Sequence, residues 1–340
     1  MEEVVETTRT VYGQSCVTTG LVLGKFAPFH KGHQLLVDTA RKLCDRLYVL
    51  IYDSRDVTDI PLYIRANWIR TLYPDVIVIE GWGAPSESGH DPDVMQLQED
   101  YIRRVIPEPI TYFFSSEWYG EHVSRALGAT NVVVDEDRDE VPISGTRVRK
   151  NPHETKDFLD PYVYKDHVER VVLLGAESTG KSTLAKALAE HFLTAHVPEH
   201  GRDFWALHHD EGGRLTSEQL IELICEHEAN EDEASLSAEQ YLFVDTNAIT
   251  TCYYDLFYHG SIHPELLKHA RLATDRYQHW FVLDTDIPFE QDGTREDMAH
   301  REAMQKAILE HLKVLGVHYT LLTGSVEERI GQVKTALKMG

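Results

Sequence analysis

Val171-Val172-Leu173-Leu174-Gly175-Ala176-Glu177-Ser178-Thr179-Gly180-Lys181-Ser182 reads as an apolar strand running into a complete G-x-x-x-x-G-K-S loop. A helix follows, because Leu184, Leu188 and Phe192 recur at four-residue spacing across Thr183–Phe192. Strand, glycine-rich loop and helix in that order are the context in which this motif holds a nucleotide. The loop's backbone N–H groups form a nest for the β-phosphate, Lys181 reaches the β/γ oxygens, and Ser182 is placed to ligate Mg²⁺. Gly175, Ser178, Thr179, Gly180, Lys181, Ser182 and Thr183 are therefore the candidate ATP-binding residues, with Lys181 also catalytic. No G-x-S-x-G elbow surrounds Ser178, so it is not read as a nucleophile.

A second phosphate-handling stretch lies nearer the N-terminus. Gly24-Lys25-Phe26-Ala27-Pro28-Phe29-His30-Lys31-Gly32-His33 follows the apolar run Gly20–Leu23 and opens the periodic segment Gly32–Leu43. A helix N-terminus presents unpaired N–H groups and a positive dipole end to an anion. His30 and His33 in that first turn add donors aimed at phosphate oxygens, while Gly24 and Gly32 let the backbone approach closely. At the far end of the same region, Ile143-Ser144-Gly145-Thr146-Arg147-Val148-Arg149 offers hydroxyls and guanidinium forks suited to a phosphate chain. Sites for nucleotidyl and phosphoryl transfer on one polypeptide point to consecutive steps of one pathway.

At 340 residues the chain is long enough for two domains, each with its own core. A formal net charge of −23 repels phosphate backbones, so no nucleic-acid partner is expected. Cys16, Cys44, Cys225 and Cys252 are scattered without zinc spacing, which fits idle thiols of a reducing compartment. The first ten residues are acidic and polar rather than basic then apolar, and no apolar run approaches the ~20 residues that cross a bilayer. A cytoplasmic protein with no membrane insertion is expected. The sequence sets no oligomeric state and allows a homo-oligomer.

Residues 1–17 are assigned to a leader, 18–150 to a first domain, 151–167 to a Pro-containing linker and 168–340 to a second domain. Strands are expected at Gly20–Leu23, Leu47–Tyr52, Val76–Ile79, Tyr112–Phe114 and Val132–Val134, with helices at Gly32–Leu43, Leu62–Leu72, Val94–Val105 and Glu117–Leu127 between them. In the second domain the expected strands are Val171–Leu174, Tyr241–Val244 and Trp280–Leu283. Its expected helices are Thr183–Phe192, Ser217–Ala238, Pro264–Trp280, Asp297–Leu315 and Val326–Leu337, with Glu226–Glu233 read as a solvated face. This alternation predicts two α/β domains, each built on a parallel sheet.

Acids supply the rest of the second site. Ala195–Asp203 follows a further strand and places Glu199 or Asp203 near an acceptor hydroxyl, with Arg202 beside them. Asp245 stands just past an apolar run, at the ligand edge of an open α/β sheet, as a Walker B-type carboxylate supporting Mg²⁺ and facing the substrate. Asp292-Gly293-x-Arg295 is a candidate lid carrying a phosphate-binding arginine. His259-x-x-x-His263 has helical metal spacing, but Pro264 follows and no partner ligand is near, so zinc is not expected.

Phe26-x-Pro28-x-His30-x-Gly32-His33 with Ile143-Ser144-x-Thr146-x-x-Arg149 resembles the nucleotidyltransferase superfamily defined by T/H-x-G-H and I-S-x-T-x-x-R motifs. The resemblance implies a Rossmann-like domain and adenylyl transfer: an acceptor phosphate attacks the α-phosphate of ATP and pyrophosphate leaves. It places His30 and His33 at the pentavalent phosphorus, Arg149 and Ser144 on pyrophosphate, and Gly24, Phe26, Ser115, Ser116 and Thr146 around ATP. Trp68 or Trp82 is a candidate to stack on an aromatic base, and a core role for either is open. Taken with Pro198–Arg202 and Phe243–Thr246, the order of motifs from Thr18 to Lys338 resembles the bifunctional NadR family, in which a nicotinamide-mononucleotide (NMN) adenylyltransferase is fused to a P-loop ribosylnicotinamide kinase. That resemblance implies nicotinamide riboside, NMN and ATP as substrates and Mg²⁺ as cofactor. Some members carry an N-terminal helix-turn-helix domain and repress transcription; fewer than 20 residues precede the first strand here, so no repressor role is expected. A phosphopantetheine adenylyltransferase joined to a dephospho-CoA kinase shares both motif classes, and a nucleotide-sensing regulator is a further alternative.

Overall fold

A computed structural model describes residues 17–85, 91–290 and 297–338. The chain divides into two units between Tyr164 and Lys165. In the first, β1 (Thr19–Gly24), α1 (Lys31–Leu43), β2 (Arg46–Tyr52), α2 (Leu62–Leu72), β3 (Ile77–Gly81), α3 (Pro92–Val105), β4 (Tyr112–Ser115), α4 (Gly120–Leu127), β5 (Thr130–Val133) and α5 (Gly145–Lys150) follow one another. The strands form a parallel sheet in the order β3-β2-β1-β4-β5. Central β1 is apolar along its length because helices cover both faces of such a sheet. Leu21, Leu23, Leu50, Phe113, Ile102 and Val123 form part of the core. The chain leaves β1 where the strand order reverses, so the loop Lys25–His30 sits at the switch point at which open α/β sheets bind ligands.

The expected linker is folded. Its residues up to Tyr164 belong to the first unit, where Leu159 bridges to His30 and Val163 and Tyr164 are buried. A 3₁₀ turn at Lys156–Phe158 and a short α6 (Pro161–Tyr164) carry them. Three apolar anchors at irregular spacing give no periodic signal, which is why the stretch reads as a linker.

The second unit contains β6 (Glu169–Leu174), α7 (Lys181–Phe192), β7 (His196–Val197), α8 (Gly201–His208), α9 (Ser217–Ala234), β8 (Tyr241–Asp245) and α10 (Ala248–His259). Then come α11 (Pro264–Arg276), β9 (His279–Leu283), α12 (Met298–Leu315), β10 (Thr320–Leu322) and α13 (Val326–Leu337). Its parallel sheet runs β10-β9-β6-β8-β7. Here β6 lies between β8 and β9, which puts the loop Gly175–Gly180 at this sheet's own switch point.

Helix α10 is absent from the sequence expectations. Its first two turns, AITTCYYD, are buried nearly all round, so no amphipathic stripe announces it. Asn247 caps its start by accepting from Ile249 N–H, and Gly260 at φ +73° ends it. The acidic run on α9 is also not a wholly solvated face. Glu231 is fully buried and accepts from Tyr277 Oη at 2.5 Å and Arg276 Nε at 2.7 Å, tying α9 to the end of α11. That buried pair needs its partners in place, since removing one leaves an uncompensated charge.

Candidate active sites

In the first unit, His30 is the residue before α1 and His33 sits in its first turn, with their rings stacked at a centroid distance of 3.7 Å. His33 Nδ1 accepts from the His30 backbone N–H at 3.3 Å, which makes Nε2 the proton-bearing nitrogen of a neutral ring. Phe26 meets His33 edge-on at 5.0 Å and Phe29 stacks on it at 5.9 Å. Phe26 is buried at φ +46°, and a Cβ at Gly24 would come within 3.1 Å of its ring. Gly24 and Phe26 thus shape the loop that holds His33. Gly32 is needed for the same reason, because a Cβ there would lie 3.2 Å from the His30 ring.

Burial pushes the His30 imidazole down to about 4, with Arg138 and Arg149 acting in the same direction. His33 is held well below its ordinary value by burial and then by His30. Both are neutral at pH 7 and serve as hydrogen-bond donors; the positive charge comes from the arginines. Arg149 Nη1 donates to Ala27 O at 2.6 Å and Nη2 to Thr146 Oγ1 at 3.1 Å, so α5 is joined to the histidine loop. Ser144 caps α5 by accepting from Arg147 N–H.

The depressed His30 value carries a stability consequence. Between pH 6.5 and about 4 the unfolded chain takes up a proton at His30 that the folded chain refuses, so stability falls as pH falls through that window. The contribution is at most about 3.5 kcal/mol, at ~1.4 kcal/mol per tenfold in acidity. Urea unfolding of the wild type and His30→Gln at pH 7 and pH 4.5 is expected to show the smaller acid loss in the variant. Equal losses would remove His30 as a source.

Two expectations for this unit are corrected. Ser115 is fully buried, and a Cβ on Gly120 would come within 2.1 Å of its Oγ, so it packs under the start of α4 instead of facing a nucleotide. Trp68 is fully buried in α2 and belongs to the core, on the wide buried arc of the helix that also holds Leu62, Arg65 and Ile69. Ser116 is half-buried after β4, and Trp82 is exposed after β3. Sequence reading missed Arg65. It is buried, and its Nη1 reaches Lys25 O at 2.5 Å and Tyr52 O at 2.9 Å, pinning the start of the histidine loop to the end of β2.

In the second unit the loop has the backbone its glycines foretell. Gly175 has φ +142° and Gly180 φ +85°, and a Cβ at Gly175 would approach Leu283 O to 2.9 Å. Ser178 adopts φ +58°, and its Oγ accepts from Glu290 N–H. Lys181 Nζ and Thr179 Oγ1 both donate to Ala176 O, at 2.9 and 2.8 Å. Ser182 and Thr183 open α7 and are exposed. Two buried arginines brace the loop from behind: Arg329 Nη1 donates to Thr179 O at 2.6 Å and Arg301 Nη2 to Ser178 O at 3.2 Å. Sequence reading passed over both, yet each left a signal. Arg329 lies in step with Val333 and Leu337 on the buried stripe of α13, and Arg301 with Met304, Ile308 and Leu312 on α12.

Asp245 ends β8 with no exposure and no hydrogen-bond partner on either carboxylate oxygen. Burial raises its carboxyl to about 6; the Lys181 ammonium pulls the other way, Glu199 adds to the rise, and Ser182 opposes it. A buried carboxylate beside the loop lysine and serine suits a divalent cation, which needs few protein oxygens when phosphates supply the rest. Among the described residues no cluster of His, Cys, Asp or Glu forms a metal site by itself. Adjoining is a cavity of about 40 Å³ lined by Glu199, His227, Thr246, Asn247, Thr250 and Tyr254 among others. Glu199 reaches this cavity; Asp203 and Arg202 lie on the exposed side of α8. His259 Nε2 contacts Leu215 O and His263 caps α11, so neither is arranged as a ligand. Arg295 lies outside the described residues.

Both units are α/β domains with a parallel five-stranded sheet, the first nucleotidyltransferase-like and the second P-loop kinase-like. A cytidylyltransferase-like family model matches residues 21–151, and an AAA domain model matches residues 170–329. The trifunctional NAD biosynthesis/regulator protein NadR of Salmonella typhimurium is 28% identical over 326 residues, covering 88% of this chain and 77% of that protein. Its Escherichia coli K12 counterpart is also 28% identical, over 89% and 78%. Crystal structures of a NadR protein in complex with NR and in complex with NAD and AMP-PNP each superpose at a TM-score of 0.71. They share 20% and 21% identity and cover 95% of this chain and 95% and 96% of theirs. The chain is NadR-like, with its cytidylyltransferase-like domain first and its P-loop domain second. Among the described residues no helix is long and apolar enough to cross a membrane.

Proposed function

We propose that this protein makes NAD in two steps: the second domain phosphorylates nicotinamide riboside to NMN with ATP, and the first joins NMN to AMP from another ATP, releasing pyrophosphate. The observation that supports it most is that one NadR-like chain carries both constellations, His30/His33/Arg149 on α1 and α5 and Lys181/Asp245/Glu199 around the P-loop. That a related NadR protein is seen with NR, and with NAD and AMP-PNP, supports the same substrates.

In the kinase step, the loop N–H groups hold the β-phosphate and Lys181 exchanges the Ala176 carbonyl for the β/γ oxygens, where charge develops. Ser182 and Asp245 would hold Mg²⁺, which would supply charge neutralisation at the phosphate oxygens. Glu199 orients the acceptor hydroxyl and takes its proton. In the adenylyl step no covalent intermediate forms. His33 Nε2–H and His30 donate to the α-phosphate as it becomes pentavalent, and Arg149 with Ser144 and Thr146 retains the departing pyrophosphate.

Mass detection of products from ATP, Mg²⁺ and either nicotinamide riboside or dephospho-CoA tests the reading. NMN and NAD are expected. CoA from dephospho-CoA would favour the other fusion, and no product from either would favour a sensor. Within the kinase, Glu199→Gln should lower kcat by about 10²–10⁴. Wild-type kcat in that variant together with loss in Asp203→Asn would transfer the role to Asp203.

A further inference from the structure

Glu177 lies inside the P-loop, between Gly175 and Gly180, and its carboxylate has the same sign of charge as the polyphosphate that such a loop cradles. The folded chain turns it aside. Tyr254 Oη, on α10, donates to Glu177 Oε1 at 2.8 Å across 77 residues of sequence. Glu177 Oε2 is buried without a hydrogen-bond partner, so the phenol holds the carboxylate by one oxygen.

The neighbouring loop residues are held from other directions and through their main chain. Ala176 N–H donates to Gln305 Oε1, Ser178 O accepts from Arg301 and Thr179 O accepts from Arg329. These ties fix the backbone, and none of them touches the Glu177 side chain. Tyr254 is itself well fixed. Its ring lies 5.8 Å from the rings of both Tyr253 and Tyr258, and α10 begins three residues beyond the end of β8, at the ligand edge of the sheet. Burial, then Glu177 and Glu199, keeps the phenol well above its ordinary value, so it stays protonated and able to donate.

We propose that Tyr254 is a positioning residue for ATP, holding the Glu177 carboxylate clear of the place that the phosphates take in the loop. This role rests on the kinase reading above. Released from the phenol, Glu177 is free to turn towards the phosphate nest, where a like charge in a poorly solvated space opposes binding far more than it would in water. The effect falls on ATP binding rather than on the chemical step.

The test is KM and kcat for ATP, with nicotinamide riboside saturating, in Tyr254→Phe, Glu177→Gln and the double variant. Tyr254→Phe removes only the hydroxyl and keeps the ring that lines the neighbouring cavity. It is expected to raise KM for ATP about tenfold, with smaller changes in kcat and in KM for the riboside. Glu177→Gln alone should use ATP at a KM equal to or below that of wild type. Adding it to Tyr254→Phe should bring KM for ATP back near wild type, a non-additivity that lost packing would not produce. An unchanged KM for ATP in Tyr254→Phe overturns the role, as does a KM that stays raised in the double variant. A fall in kcat of about 10²-fold or more in Glu177→Gln also overturns it, by making Glu177 a base. If Tyr254→Phe is inactive, the double variant must recover phosphorylation, and failure to do so overturns the role. A wild type that phosphorylates no riboside overturns the kinase reading and this role with it; an active wild type with any of the adverse results above overturns this role alone.

Discussion

Lys181→Ala is expected to lower riboside phosphorylation by about 10²–10³ in kcat, the usual cost of losing one donor aimed at developing charge. Its ammonium is nearly buried and hydrogen-bonds to the Ala176 carbonyl within the loop, so it needs to travel only along that loop to meet β/γ oxygens. The fold should tolerate the change. The loop is braced from behind by Arg301 and Arg329 and tied to Gln305 through Ala176 N–H, none of which involves the lysine. A circular dichroism melt should therefore stay close to wild type while NMN formation collapses. Phosphorylation near the wild-type rate would remove the P-loop from the chemistry.

How much of this was legible beforehand depends on what each segment has to bury. The helices Leu62–Leu72 and Val326–Leu337 appear with the bounds their periodicity gives, because one face of each is apolar and the other polar. Helix α10 gives no signal because its first two turns are buried on nearly every side, and the 151–164 segment because three anchors make no period. Strand β10 is three residues long, two of them exposed, too short for a pattern. In the sites, loop residues could be read from motif chemistry, since glycines with positive φ and a lysine after them have few other uses. Residues that act through tertiary contact could not. Arg65 meets Lys25, Tyr254 meets Glu177 and Arg329 meets Thr179 across sequence gaps that only the folded sheet closes. The arginines on buried helix stripes show what to look for: a charged residue in phase with core positions needs a buried partner, and at a sheet's ligand edge that partner is a binding loop.

His33→Ala should do the complementary thing, cutting NAD formation from NMN by about 10²–10³ while leaving riboside phosphorylation near wild type. The ring donates through Nε2, and its Nδ1 is fixed by the His30 backbone N–H, so alanine removes both the donor and the stack that orients His30. Because both imidazoles are held neutral by burial, wild-type NAD formation should show no gain between pH 6 and 8 of the kind a titrating histidine base would give. Each unit has its own sheet and switch point, so the second activity is expected to persist without the first. Mixed in equal amounts with Lys181→Ala, His33→Ala should restore conversion of riboside to NAD, since NMN made by one molecule can diffuse to the other. The time course of the mixture should show NMN rising before NAD, and that lag should shorten as protein concentration increases. Loss of both activities in either folded single variant, or no recovery on mixing, would show that the two sites are obligatorily coupled and that the intermediate does not pass through solution.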